Sequence, residues 1–282
     1  MRIRLLLAWA AGVVIVVVVS GCGITGGKSS VTPQPQVAPT ANTSSTASRQ
    51  PAAPPPSSSA PASPAASPTS TMPQPTAPSP QSPVTVLKLG DRGPAVAALQ
   101  ARLSRLGYWL AAADGNFGLT TQQAVYALQK AAGLTADGVY GPQTAAALDK
   151  GVLPRTRSAS GHVIEINLTS DLLMIVNDGK VAAVLNTSTG GGYTYTSDGV
   201  TAVARTPTGQ FKVFRSVDGM DVSPLGELWR PRYFYGGYAI HGSDSVPPYP
   251  VSHGCVRLSY PAIDWIWATG QAPIGTEVLL YY

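Results

Sequence analysis

The sequence predicts two folded parts: a small all-α unit of three helices, then a mainly β domain with one helix near its C-terminus. Three observations carry this reading. Apolar residues recur at helical spacing between residues 87 and 148, period-two alternation with turn signals takes over beyond Pro154, and the first 84 residues show neither pattern. Of the 26 prolines, 15 fall between residues 28 and 83, which leaves ~200 residues to fold, enough for two domains.

Arg2 and Arg4 precede an apolar run over residues 5–19. At ~1.5 Å per residue this run is too short to cross a hydrocarbon core ~30 Å thick without strain, so it reads as an export signal. It ends in Val19-Ser20-Gly21-Cys22, which resembles the bacterial lipobox, whose cysteine receives diacylglycerol and becomes the mature N-terminus. That resemblance implies a lipoprotein signal over residues 1–22, lipidation at Cys22 and a lipid anchor in the cytoplasmic membrane. The alternative is an uncleaved anchor. Both readings put everything downstream outside the cytoplasm.

Residues 23–84 are rich in Pro, Ser, Thr and Ala, and between 28 and 83 there is no Phe, Trp or Tyr and there are only two charges. Such a segment buries too little surface to offset chain entropy, so a disordered tether is expected. The reach of residues 28–83 is about 170 Å in the polyproline II limit and about 40 Å as a flexible coil. It suits a folded head working in the cell wall. The formal charge of +5 includes Arg2 and Arg4 of the leader, and no Lys/Arg run follows, so nothing supports nucleic-acid binding. No stretch reaches the ~18 apolar residues of a spanning helix, which excludes a polytopic membrane protein.

The helical unit is expected over residues 85–150. Pro94 suits a first helical turn, and Val96, Leu99, Leu103 and Leu106 share one face. A second helix is expected over residues 120–131, with Ala124, Val125, Leu128 and Gln129, and a third from Pro142. Asp114-Gly115-Asn116-Phe117-Gly118 recurs as Asp137-Gly138-Val139-Tyr140-Gly141. Each copy sets an Asp-Gly turn and an aromatic before a helix, so Phe117 and Tyr140 are expected to staple helix starts to a common core. Gly90-Asp91-x-Gly93-x-x-Val96-x-x-Leu99-Gln100 with these two turns resembles the three-helix peptidoglycan-binding domain found attached to wall enzymes. The alternative is a helical spacer with no ligand.

The β domain is expected over residues 161–282. Strands are predicted over 162–168, 172–177 and 180–187, with Asp178-Gly179 as a two-residue hairpin turn, and over 210–215, 238–241 and 277–281. Only 260–269 reads as helix. A mostly antiparallel β fold is the expectation.

Exported proteins normally pair their cysteines, yet with Cys22 committed to lipid or membrane, Cys255 stands alone. An unpaired thiol in an oxidising compartment is either buried or used in chemistry. Two of the three histidines, His241 and His253, and also Arg257, lie within 17 residues of chain around it. A thiol nucleophile needs a base, groups that lower its pKa and donors for an oxyanion, and this segment contains all three types. His253 is two residues from Cys255, with Cα atoms ~7 Å apart if extended, an awkward approach for its imidazole. His241 is therefore the expected base, its ring oriented by Gly242 or a neighbouring carbonyl, while His253 braces the loop by hydrogen bonding. The amides of His253, Gly254 and Cys255 are the expected oxyanion donors. His162 reads as structural.

Ser252-His253-Gly254-Cys255-Val256-Arg257, with His241 upstream, resembles the L,D-transpeptidase catalytic domain. The resemblance extends through Arg205-Thr206-Pro207-Thr208-Gly209 and Gly275-Thr276-Glu277-Val278. It implies Cys255 as nucleophile, His241 as proton acceptor and donor, Arg257 as support for substrate or loop, and Tyr238 and Trp229 as cleft-lining or core. It further implies donor tetrapeptide stems and amine acceptors of peptidoglycan as partners, and no metal or organic cofactor. The 10 residues between His241 and Ser252 are fewer than in some relatives, which bears on the shape of a substrate lid. An exported cysteine peptidase acting as an L,D-carboxypeptidase and a non-catalytic peptidoglycan-binding lipoprotein are the competing readings; the motif argues against sortases.

Overall fold

The computed structural model describes residues 85–282. The expected signal, the Cys22 lipidation site and the tether lie outside the described residues. Pro94 opens helix α1 (Pro94–Leu106), where its missing N–H costs nothing, and Gly107 ends it in the left-handed conformation at φ 99°. Helix α2 (Leu119–Ala131) starts one residue before the expected position, and α3 (Pro142–Asp149) starts where Pro142 places it. The sequence repeat is a repeated side-chain clasp. Gln100 Nε2 donates to Asp114 Oδ1 (3.0 Å), Asn116 O (2.9 Å) and Thr121 Oγ1 (2.9 Å), while Gly115 N–H donates to Gln100 Oε1 (2.8 Å). Gln129 makes the same set of bonds with Asp137, Val139, Thr144 and Gly138. Phe117 and Tyr140 are buried in the core beside the clasps, as expected.

The second part contains β1 (His162–Asn167), β2 (Leu172–Asn177), β3 (Lys180–Asn186), β4 (Thr194–Ser197), β5 (Val200–Val203), β6 (Gly209–Lys212), β7 (Arg215–Ser216), β8 (Met220–Ser223), β9 (Gly226–Tyr235), β10 (Tyr238–Ser243), β11 (Val256–Ser259), α4 (Tyr260–Ala268) and β12 (Glu277–Tyr281). One sheet runs β3-β2-β1-β12-β6 and a second β11-β10-β9-β7, with β8 on β9; β4 and β5 form a separate hairpin. Pairing is mostly antiparallel, as expected, with two parallel exceptions, β1–β12 and β10–β11. Asp178 (φ 48°) and Gly179 (φ 76°) make the β2–β3 turn with both residues left-handed, the geometry that matches strand twist. The strand expected over 210–215 is a correction: Val213, buried in the core, divides it into β6 and β7, which belong to different sheets.

β2 explains how the two parts join. Leu173 and Ile175 face a core built with the second sheet and α4, while Leu172, Met174 and Val176 enter the core of the helical unit, and all five are at most 1% exposed. A strand covered on both faces reads as a continuous apolar run instead of an alternation. Glu165 on β1 is the polar exception, and its carboxylate accepts the N–H groups of Arg157 (3.0 and 2.9 Å) and Ser158 (2.7 Å) and the hydroxyl of Tyr281 (2.9 Å). The segment after α1 also runs beside β3: Trp109 N–H donates to Val184 O (2.9 Å) and Val184 N–H to Gly107 O (2.8 Å).

From α2, Lys130 reaches across this junction. Its ammonium donates to Asp171 O and Thr187 O (3.0 Å each) and faces Asp171 Oδ2 at 3.9 Å, with both side chains buried. Burial draws Lys130 down to about 8 against the pull of Asp171, and burial raises Asp171 against the pull of Lys130. Breaking such a pair from one side leaves an uncompensated charge. Lys130→Met should therefore destabilise the protein by about 3–5 kcal/mol. Adding Asp171→Asn, which tolerates the left-handed backbone there (φ 55°), should recover part of that loss in urea unfolding. Equal losses in the single and double variants would show that the two charges are not coupled.

Candidate active site

Strands β10 and β11 are parallel neighbours in register, Ile240 beside Val256 and His241 beside Arg257. Alternation sends Ile240, Val256 and Leu258 into the core and leaves Ala239, His241, Cys255 and Arg257 on the opposite face. Histidine and cysteine thus stand diagonally across two adjacent strands. Parallel strands cannot be joined by a tight turn, so residues 244–255 must travel back along the sheet. The Pro-rich segment is this crossover, and it brings His241 to Cys255 by strand pairing.

The crossover is fixed through its backbone. Ser188 Oγ donates to Tyr249 O (2.8 Å) and accepts from Val251 N–H (3.2 Å), and Ser252 N–H donates to Thr189 O (2.8 Å). Ser252 Oγ donates to Cys255 O (2.6 Å) and accepts Gly254 N–H (3.0 Å), and Thr206 Oγ1 donates to Gly254 O (2.8 Å). Gly254 has φ +143°, and a Cβ there would run into the Tyr238 ring and lie 2.7 Å from Arg205 O, so only glycine fits. One of the three amides expected to face an oxyanion is thereby corrected: that of Gly254 is committed to Ser252.

His241 is 5% exposed, and its Nδ1 lies 2.9 Å from Gly242 O. A carbonyl only accepts, so Nδ1 carries the proton and Nε2 keeps a free lone pair. Gly242 has no room for a side chain, since a Cβ would sit 2.7 Å from Ile263 Cγ2 and 2.9 Å from Tyr260 Cδ1. Burial, aided by the charge of Arg257, pushes His241 down to about 4, while the Gly242 carbonyl opposes the fall. Burial raises the half-buried Cys255 thiol, opposed by the backbone amide of Ala239 and by Arg257. The thiol also faces Gly237 O at 3.8 Å. At neutral pH the resting pair is a thiol and a neutral imidazole.

The pair opens into a cleft of about 720 Å³, walled by Tyr195, Tyr238, His253 and the β8–β9 hairpin. The strands of this hairpin are absent from the sequence reading. Behind it, Tyr233 O–H donates to Asp221 Oδ2 (2.8 Å), which pairs with Arg215 (2.9 Å). Arg257, by contrast, has no carboxylate partner among the described residues. Nor do the described residues group three or more His, Cys, Asp or Glu side chains for a metal ion.

Tyr238 lines the cleft, but Trp229 does not: its indole N–H donates to Asp264 Oδ1 (2.8 Å) and the ring packs against Gly242, buttressing β10 from behind. His253 also departs from expectation. Among the described residues its ring makes no hydrogen bond and packs edge-on against Tyr193 (5.6 Å) and Tyr195 (4.8 Å), holding the β4–β5 hairpin by aromatic contact. His162 is structural, with its ring nitrogens 2.6 Å from Asn177 Oδ1 and 2.6 Å from Gln271 O. Sequence reasoning missed Ser188 and Thr206. Only Thr206 carried a signal, its place in Arg205-Thr206-Pro207-Thr208-Gly209.

Residues 92–148 match the family model of a putative peptidoglycan binding domain, and residues 161–280 that of the L,D-transpeptidase catalytic domain. The crystal structure of the L,D-transpeptidase from Xylanimonas cellulosilytica is 54% identical, with a TM-score of 0.69, and the match covers 72% of this chain and 100% of that one. The N-acetylmuramoyl-L-alanine amidase CwlL of Bacillus licheniformis is 42% identical over 94 residues, 32% of this chain and 26% of the amidase. The amidase CwlM of Mycobacterium tuberculosis is 50% identical over 52 residues, 18% of this chain and 13% of that protein. The chain thus spans only about a quarter or less of these curated relatives.

The neutral resting pair sets a pH dependence. Because burial raises the thiol above its ordinary value, thiolate is scarce at neutral pH and grows as pH rises into the alkaline range. Iodoacetamide alkylation of Cys255 in the free protein should keep accelerating through neutrality and beyond, without a plateau between pH 5 and 7. A plateau beginning near pH 6 would mean a preformed thiolate–imidazolium pair and would overturn this electrostatic picture.

Proposed function

Because the chain belongs to the L,D-transpeptidase catalytic-domain family, we propose that it is a cell-wall L,D-transpeptidase that crosslinks peptidoglycan through a thioester on Cys255. The observation that carries this reading is the β10–β11 register, which sets Cys255 diagonally opposite a buried His241 with a free Nε2, beside Arg257. Cys255 Sγ attacks the carbonyl of the third residue of a stem tetrapeptide while its proton passes to His241 Nε2. The C–N bond breaks, and the proton leaves with the terminal D-alanine amine. The side-chain amine of a second stem then attacks the thioester, and His241 takes its proton and returns it to the departing sulfur. The product is an amide between two third residues.

The backbone amide of Ala239 and the charge of Arg257, which both favour the ionised sulfur, steady the thiolate at each end of the cycle. Arg257 offers a cation to a substrate carboxylate or to the developing oxyanion. Water in place of the amine would give tripeptide, the L,D-carboxypeptidase reaction. The peptidoglycan-binding match over residues 92–148 supports a wall-directed, extracytoplasmic role. With it we propose that the Cys22 lipid and the tether of residues 23–84 hold the head at the membrane within reach of the wall.

The test is product mass. The protein incubated with a defined tetrapeptide stem should yield a crosslinked dimer, and Cys255→Ser should yield none while folding normally. His241→Ala should slow acylation roughly 10²-fold or more. Tripeptide alone would assign the carboxypeptidase reaction instead, and unchanged stem with the wild-type protein would sink the enzymatic reading.

A further inference from the structure

The helical unit reaches the active-site crossover through a clasp on Gln123. Gln123 and Lys130 are seven residues apart on α2, two turns along one stripe, and both point away from their own unit. Lys130 takes Thr187 O. Gln123 Nε2 donates to Val246 O (3.0 Å), and Gln123 Oε1 accepts from Asn186 Nδ2 (2.6 Å), itself 3.4 Å from Val246 O. Three elements therefore meet at one buried node: α2, the end of β3, and the crossover carrying His241 at one end and Cys255 at the other. Asn186 is 4% exposed and Val246 7%.

The residues that follow Asn186 continue the connection. Thr187 Oγ1 donates to Arg257 O (2.8 Å), Ser188 exchanges backbone bonds with Arg257 (3.3 and 3.0 Å), and the Ser188 hydroxyl holds Tyr249 O. Val246 O is thus the point at which the first half of the crossover is pinned, and the strongest donor to it comes from outside the β domain. Without Gln123, Asn186 alone would have to hold it from 3.4 Å, beyond good hydrogen-bond range.

We propose that Gln123, a residue of the helical unit, is a positioning residue for the Cys255–His241 chemistry, so that this unit is a working part of the catalytic centre as well as a wall-binding module. The proposal rests on the assignment of Cys255 and His241 given above. Misplacement by about 1 Å is enough to cost on the order of 10²-fold in rate, and the diagonal pair has no charge attraction to correct it.

The test uses the full chain as wild type, Gln123→Ala, Gln123→Glu and, as a control on an exposed position of α3, Gln143→Ala. The readouts are kcat and KM for crosslinking, the thermal midpoint, and the rate of iodoacetamide addition to the peptide carrying Cys255. Gln123→Ala should lower kcat by about 10- to 100-fold, with KM within about twofold, a near-wild-type midpoint, and Gln143→Ala indistinguishable from wild type. Gln123→Glu keeps the acceptor for Asn186 but, once ionised, sets an anion against Val246 O. Its alkylation rate relative to wild type should approach one below about pH 4, where the carboxyl donates, and fall as it ionises. A purely structural side chain would give a ratio flat in pH.

Wild-type kcat in Gln123→Ala, a loss that disappears on correction for folded fraction, or a flat ratio would each overturn the proposal. Alkylation needs no stem peptide. Wild type that forms neither dimer nor tripeptide while the Gln123→Glu ratio still follows pH would therefore reject the transpeptidase reading and leave the clasp standing.

Discussion

A β-sheet covered on both faces is the constraint from which the rest of this structure follows. Leu173 and Ile175 of β2 belong to the core shared with the second sheet, and Leu172, Met174 and Val176 to the core shared with the helices, with Val184 of β3 beside them. Exposing those last four side chains would forfeit on the order of 6–12 kcal/mol at ~1.5–3 kcal/mol each. That matches the entire ~5–15 kcal/mol by which a typical domain is stable. The helical unit is consequently a wall of the β domain, and the linker between them is itself bound in by Glu165, which caps the Arg157 and Ser158 amides from within the sheet.

How much of this the sequence discloses depends on where each signal sits. The β2–β3 hairpin is legible because an Asp-Gly turn with two left-handed residues separates two apolar runs. Its unbroken Leu172-Leu173-Met174-Ile175-Val176 run also carries the mark of a strand buried on both sides. Strands β4, β5 and β8 are not legible: each is an exposed strand of only four residues, too short for an alternation such as Met220-Asp221-Val222-Ser223 to stand out from loop. Strand β9 is masked by Pro231 within it, and β11 is only four residues long behind the catalytic motif. Neither sheet-to-sheet register nor the parallel β10–β11 pair is written locally. They arise from closure of the core.

The site divides in the same way. Cys255 and His241 are conspicuous because a lone exported thiol and a nearby imidazole are rare residue types with specific chemistry. Gln123, Asn186, Ser188 and Thr206 act on backbone carbonyls and amides far away in sequence, where an amide or hydroxyl is a common residue and spacing says nothing. His253 shows the converse failure, since an imidazole beside the nucleophile invites a polar role and the structure gives it an aromatic one between Tyr193 and Tyr195.

These carbonyl-directed bonds answer a need created by the electrostatics. A half-buried thiol whose pKa is raised is a poor target for oxidants, because oxidants react with thiolate. The cost is that the resting sulfur and imidazole are both neutral and do not attract one another. A thiolate–imidazolium pair would align itself; a neutral pair has to be held by what surrounds it. Hence His241 is fixed through Gly242 O, the crossover through Ser188, Ser252 and Thr206, and its first half through Gln123 from the far side of the sheet. The same two-sided burial that makes the β domain depend on the helices for stability thus brings a helical side chain within reach of the loop on which the chemistry depends.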